Sequence, residues 1–284
     1  MHDRGHLGTL MSQLDAPILE RPQRRGAQPR KWLLPREHGA YGEVVFPLVA
    51  ALAMGRPRLG AFAITASVLA TFFAHESVLV LLGQRGARML ESHRARAFSF
   101  LGVLGGLALV AAVVGVASVD RAGRLSLIVP FVAGAFAFGL VLARRQRTLL
   151  GEVSAAAAMA SAAFPVAIAS GVSTQKSLFA LCTWVFVFSL STMSVRGLVH
   201  GARNGADAHG SWLSAFVGGA AFAASLALAL SHRGPWFVPV AVAPNVILAI
   251  WLAVAPPPMK ALKRVGWMLV TSSVVTTAAL VAIA

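Results

Sequence analysis

Apolar residues along this chain fall into nine long runs, near 38–55, 60–83, 97–119, 125–143, 149–171, 177–199, 211–231, 236–255 and 265–283. A helix needs about 20 mostly apolar residues to cross the hydrocarbon core of a bilayer, and each run is close to that length. Short polar separators divide most of them, at 55–58, 120–124, 144–147, 231–235 and 256–260, with two longer ones at 84–96 and 200–210. The pattern predicts an all-α fold, a polytopic membrane bundle of about nine transmembrane helices over residues 35–284, with nothing left for a soluble domain. Residues 1–34 are rich in Pro, Gly, Gln and Arg and show no helical period. They are expected to form a disordered basic tail whose arginines lie on anionic headgroups.

Composition agrees with this. The chain has 284 residues, 57% hydrophobic and only 12% charged, against about 25% charged in ordinary soluble domains. Its net charge of +15 would suggest nucleic acid in a soluble protein, but the basic residues sit between the apolar runs. With the tail placed in the cytoplasm, 19 of the 25 Lys and Arg lie inside and 6 outside. The positive-inside rule then gives N-in and C-out for nine spans, so the expected location is the inner cell membrane and nucleic acid is not an expected partner. Cys182 is the single cysteine, which excludes a disulfide within the chain and a thiolate cluster, and it is read as a packing residue. No signal peptide is visible ahead of the first run. Arg24-Arg25 lacks the apolar stretch that a twin-arginine signal needs.

Ionisable residues inside or at the mouth of a span are costly and mark function more often than elsewhere. Outside the tail and Asp120, the acidic residues are Glu37, Glu43, Glu76, Glu91, Glu152 and Asp207, and all map to the cytoplasmic side. Three stretches concentrate the chemistry. The first, 35–43, holds Arg36, His38, Tyr41 and Glu43. The second, 75–88, holds His75, Glu76, Arg85 and Arg88, and the third, 192–204, holds Thr192, Arg196, His200, Arg203 and Asn204. Spacings of 4, 4 and 3 put Thr192, Arg196, His200 and Arg203 on one helical stripe. Glu43 and Glu76 lie one to two turns inside apolar runs, where a carboxylate needs a partner or must hold its proton; Arg36, Arg85 and Arg196 are available. Arg94, Arg96, Arg144, Arg145 and Arg147 read as membrane anchors. Gly-Ala-Arg recurs at 86–88 and 201–203, which suggests four-helix pseudo-repeats, 35–148 and 149–258, followed by a last helix. Zinc-protease, phosphate-loop, dinucleotide and serine-elbow motifs are absent.

The run 35–40, Pro-Arg-Glu-His-Gly-Ala, together with Glu76 and Leu-Leu-Gly-x-Arg-Gly ending at Gly86, resembles the YwiC-like family of bacterial membrane proteins. That likeness is expected from about residue 34 to the end, and it carries no established activity. More distantly, nine N-in spans with polar motifs closing the second and sixth helices are similar to the UbiA-type prenyltransferase superfamily. That resemblance implies an isoprenoid diphosphate held on magnesium by Asp-rich motifs. Here the second span offers His75 and Glu76 without a following acid, and the sixth offers Arg196, His200, Arg203 and Asn204. Two carboxylate cages for magnesium cannot be built from these, so no cofactor is assigned.

What remains is a UbiA-like enzyme or lipid-phosphate-binding protein with a cytoplasm-facing polar pocket. Arg36, His38, Arg85, Arg88, Arg196, His200, Arg203, Asn204 and Lys260 are the candidate contacts to an isoprenoid or lipid phosphate, since guanidinium forks match phosphate oxygens. Glu43, Glu76 and His75 are the candidate catalytic groups, as bases or as supports for the arginines. The alternatives are a transporter, with Glu43, Glu76, Glu152 and a broken helix at Pro244-Asn245 as its path, and an assembly protein without a small-molecule site.

Overall fold

The structure, a computed structural model, describes residues 38–204 and 209–282, and these are almost wholly helical. In chain order the helices are α1 (His38–Ala53), α2 (Leu59–Leu81), α3 (Ala87–Ala117), α4 (Arg121–Ser126) and α5 (Ile128–Leu142). There follow α6 (Leu149–Ser161), α7 (Ala163–Ala169), α8 (Thr174–Asn204), α9 (His209–Leu230), α10 (Phe237–Val254), a 3-10 turn at Met259–Ala261 and α11 (Leu262–Ala282). Among the described residues eight stretches are long and apolar enough to cross a membrane, and Gly39–Ala53 is a shorter apolar helix. The pairs α4–α5 and α6–α7 each make one span, so the nine runs become nine helical passes in the expected order.

Polar side chains and tight turns set the ends. The Asp120 carboxylate accepts the Gly123 N–H at 2.8 Å and starts α4, and Thr148 Oγ1 accepts the Gly151 N–H at 3.1 Å and starts α6. Both are N-caps that satisfy donors a helix start leaves unpaired. At the end of α2, Gly83 has φ of +68°, and the Gln84 N–H returns to the Leu79 carbonyl at 3.0 Å. This left-handed C-cap reverses the chain at once. The end of α5 repeats it with Arg144 at φ +56°, the Arg145 N–H reaching Leu140 O at 2.8 Å.

The polar separator 84–96 is helical over most of its length. Helix α3 begins at Ala87, so residues 87–96 are its first turns. Ala, Arg, Met, Leu and Glu are strong helix formers, and their polarity places them at the membrane surface rather than outside the helix.

Helix α2 packs closely on α3, and α8, α9 and α10 pack on one another, with α11 against α10 and α1. Glycine permits the closest approaches: a Cβ at Gly115 would lie 2.8 Å from Ile64, and one at Gly60 2.7 Å from Val119. One core unites Ala50, Ala156, Ala160, Trp184, Phe237 and Leu280 from five spans. Spans three and four stand apart from this core, since only 6% of their apolar windows is buried. In water such faces would demand a partner, but lipid tails are as apolar as Leu and cover them without one. Cys182, expected to pack inside, lies instead on an exposed face of α8.

Candidate functional site

Alternating passes bring the starts of α1, α3, α6 and α9 to the same membrane face as the ends of α2, α5, α8 and α10, and this face carries the candidate residues. Glu76 is buried to 2% exposure in the penultimate turn of α2. The reversal at Gly83 turns Arg85 back along the helix, and its Nη2 donates to Glu76 Oε2 at 2.6 Å. One of the expected partners is therefore the actual one. The remaining fork is only partly committed: Arg85 Nε is buried and has no hydrogen-bond partner among the described residues.

Next to this pair, the Gln84 amide donates to Val141 O at 2.8 Å and its oxygen accepts from Gln146 Nε2 at 3.2 Å. The α2 turn is thus tied to the turn that ends α5. That second turn reaches the sixth span, because Arg196 Nη1 donates to Arg147 O at 3.2 Å and to Glu152 Oε2 at 2.8 Å. Polar contacts therefore run from Glu76 through residues 84–85 and 146–147 to Glu152 and Arg196. They link the ends of α2, α5, α6 and α8. Sequence reading offered Arg196 to Glu43 or Glu76; the structure gives it to Glu152. Residues 44 apart in the chain carry no local signal of such a pairing.

Gly151 makes the crossing possible. A Cβ there would lie 2.3 Å from Arg145 O and 2.8 Å from the Gln146 backbone. Because both neighbours are main chain, the loop must lift to admit a methyl group. Gly151→Ala is expected to cost about 1–3 kcal/mol, the usual range for overpacking, and to pull Arg147 O from Arg196. Thermal unfolding of the purified variant checks this; an unchanged midpoint would mean that the loop gives way freely.

Tyr41 stacks edge-on against Phe72 at 5.3 Å, which joins the first stretch to the second span. Glu43 is half-buried, His75 and His200 are exposed, and all three, with Tyr41, are engaged by other groups. Arg88 and Lys260 are exposed. Arg36 lies outside the described residues, as do Glu37, Asp207, the tail 1–34 and the side chains of His38, Arg203 and Asn204. No group of three His, Cys, Asp or Glu that could hold a metal ion occurs among the described residues.

A second polar cluster lies in mid-membrane. Asn245, 2% exposed, accepts from Ser272 Oγ at 2.7 Å and Ser191 Oγ at 3.4 Å, and donates to Thr276 Oγ1 at 3.2 Å. Thr276 Oγ1 in turn donates to Ala241 O at 2.7 Å. The expected break at Pro244-Asn245 is not there: α10 runs continuously from Phe237 to Val254 with Pro244 inside it. Helices in lipid tolerate proline when neighbouring helices and hydroxyl side chains re-satisfy the backbone. This cluster locks α8, α10 and α11 together. Its sequence signal is an Asn in an apolar run facing Ser272 and Thr276, four apart on one helix face.

Apolar helical passes stitched together by capped turns and buried polar locks define an integral, multi-pass membrane protein. Over residues 34–167 the chain matches the family described as YwiC-like protein, which bears out the resemblance carried by 35–40 and 76–86. The match takes in Glu76, Arg85 and Glu152 and stops before Arg196, short of the full length expected. No curated protein and no solved structure is matched by the chain.

Proposed function

We propose that this protein binds a phosphate-bearing amphiphile, an isoprenoid or lipid phosphate, at the face carrying Arg85, Arg88 and Arg196, and that this face is cytoplasmic. The observation that supports it most is the pair of carboxylate-held arginines, Glu76–Arg85 at the turn that ends α2 and Glu152–Arg196 between α6 and α8. A single nitrogen of each guanidinium meets its carboxylate, so each fork keeps donors for a phosphate oxygen. Arg88 adds an exposed cation at the start of α3. In this reading Glu76 and Glu152 are positioning residues. Glu76 is too buried and too committed to Arg85 to touch a ligand, which favours binding over transfer chemistry at that carboxylate. The layout of an anion held where the second and sixth spans close is the one feature kept from the prenyltransferase resemblance. The transport alternative is weaker, because the mid-membrane polar residues are bonded to one another instead of lining a path.

Native mass spectrometry of the detergent-purified protein tests this. Wild type should retain a phosphate-bearing lipid, and Arg88→Gln/Arg196→Gln should lower its occupancy by about tenfold or more, since each interfacial cation contributes roughly 1 kcal/mol. Equal occupancy in wild type and variant would remove the proposal.

A further inference from the structure

The corner between α10 and α11 carries Lys260, Lys263 and Arg264 within five residues, all three exposed. We infer that this corner is a docking surface for the headgroup phosphate of an anionic phospholipid. It is separate from the arginine cluster proposed above and does not depend on it.

Packing dictates where these cations stand. Val265 is buried in a cluster with Leu198 from α8 and Leu248 and Leu252 from α10, and Leu262, Met268 and Leu269 pack against it. That contact fixes the rotation of α11. Helical spacing then puts Lys263, Arg264 and Trp267 together on the opposite, outward face. Upstream, Pro256-Pro257-Pro258 stiffens the connection, because each ring fixes its own φ. Pro258 is extended, at φ −64° and ψ 154°, and the Ala261 N–H returns to Pro258 O at 2.8 Å, which closes the turn carrying Lys260. Stiff backbone under the cations leaves little chain freedom to lose when a ligand binds.

Charge selects an anion. None of the three cations makes an ion pair among the described residues, where the two that occur hold Arg85 and Arg196. The first turn of the 21-residue α11 contains no acid, although a helix dipole favours acids at its N-terminus and disfavours cations there. Lys263 and Arg264 therefore oppose the dipole and repel each other, and a bound anion relieves both. The surroundings select a lipid over a free anion. Trp267 is 64% exposed one turn further into the membrane, and Val270 and Val274 continue its exposed face. Tryptophan collects at headgroup depth in membrane proteins, so the cations lie where lipid phosphates lie and the apolar strip lies where acyl chains begin.

The probe is phosphatidylglycerol, added to delipidated full-length protein and read by native mass spectrometry, with phosphatidylcholine and inorganic phosphate as comparators. Arg264→Gln should weaken phosphatidylglycerol binding by about fivefold and Lys263→Gln/Arg264→Gln by more than tenfold, from the per-cation contribution at a membrane surface. Lys263→Arg keeps the charge and should bind like wild type. The same losses should appear in an Arg88→Gln/Arg196→Gln background, which separates this surface from the arginine cluster. These exposed substitutions should keep the wild-type unfolding midpoint. The inference is overturned if Lys263→Gln/Arg264→Gln binds phosphatidylglycerol like wild type, if its effect disappears in the Arg88→Gln/Arg196→Gln background, if phosphatidylcholine binds equally well, or if inorganic phosphate competes as an equal.

Discussion

Arg85→Ala is expected to lower stability by about 3 kcal/mol, the low end of the range for stranding a buried charge. Glu76 is 2% exposed inside the second span, and its 2.6 Å contact is with a guanidinium that is itself 27% exposed. Without Arg85 the carboxylate must either stay charged in an apolar setting or take up a proton, and both are unfavourable. Glu76→Gln should be milder because a neutral amide can still accept from Arg85. The informative variant is Glu76→Gln/Arg85→Ala, which removes the stranded charge and should recover much of the loss. Thermal unfolding in one detergent, read for all three variants, checks the order. If the double variant is as unstable as Arg85→Ala alone, the defect lies in the turn at Gly83 and not in the charge.

The nine passes were legible because membrane thickness imposes a length on apolar runs, and the caps at Asp120 and Gly83 fall where those runs end. Helix extent was less legible. Apolarity reports depth, so the exposed polar turns of α3 from Ala87 read as a connection. Which helices form the interior was not legible either. Spans three and four are as apolar as Trp184's neighbours, yet they face lipid, and hydropathy does not distinguish a packed helix from a lipid-facing one. In the candidate site, Glu76 and Arg85 were singled out because a deep carboxylate and a nearby arginine lie within one turn region. Glu152–Arg196 and Gln84–Gln146 arise from packing between distant segments, so residue type alone could not pair them. At Pro244-Asn245 the local rule pointed to a break; α10 stays continuous there, packed against α8 and α11, with Thr276 donating to Ala241 O.

Trp184→Ala should cost about 3 kcal/mol or more, whereas Trp184→Phe should cost less than about 1 kcal/mol. Trp184 is 1% exposed and stacks on Phe188 at 5.1 Å with 25° between the rings. Around it are Ala50, Ala156, Ala160, Ala180 and Ala241 from four spans. Small residues let these helices close around one large ring, so truncation leaves a space that none of them can fill. The unfolded reference remains in lipid, so the loss is of dispersion contacts and of the cavity's cost, and little of it is transfer from water. The indole N–H separates the two substitutions. Nε1 is buried without a hydrogen-bond partner among the described residues, as is Ser177 Oγ, and both residues line an interior cavity of about 10 Å³ between α1, α7 and α8. If the N–H makes no bond, phenylalanine keeps most of the packing and discards only a group that gains nothing from its surroundings. Unfolding midpoints of the two variants decide the point. Should Trp184→Phe fall as far as Trp184→Ala, the N–H is bonded after all, and a water shared with Ser177 becomes the partner to look for.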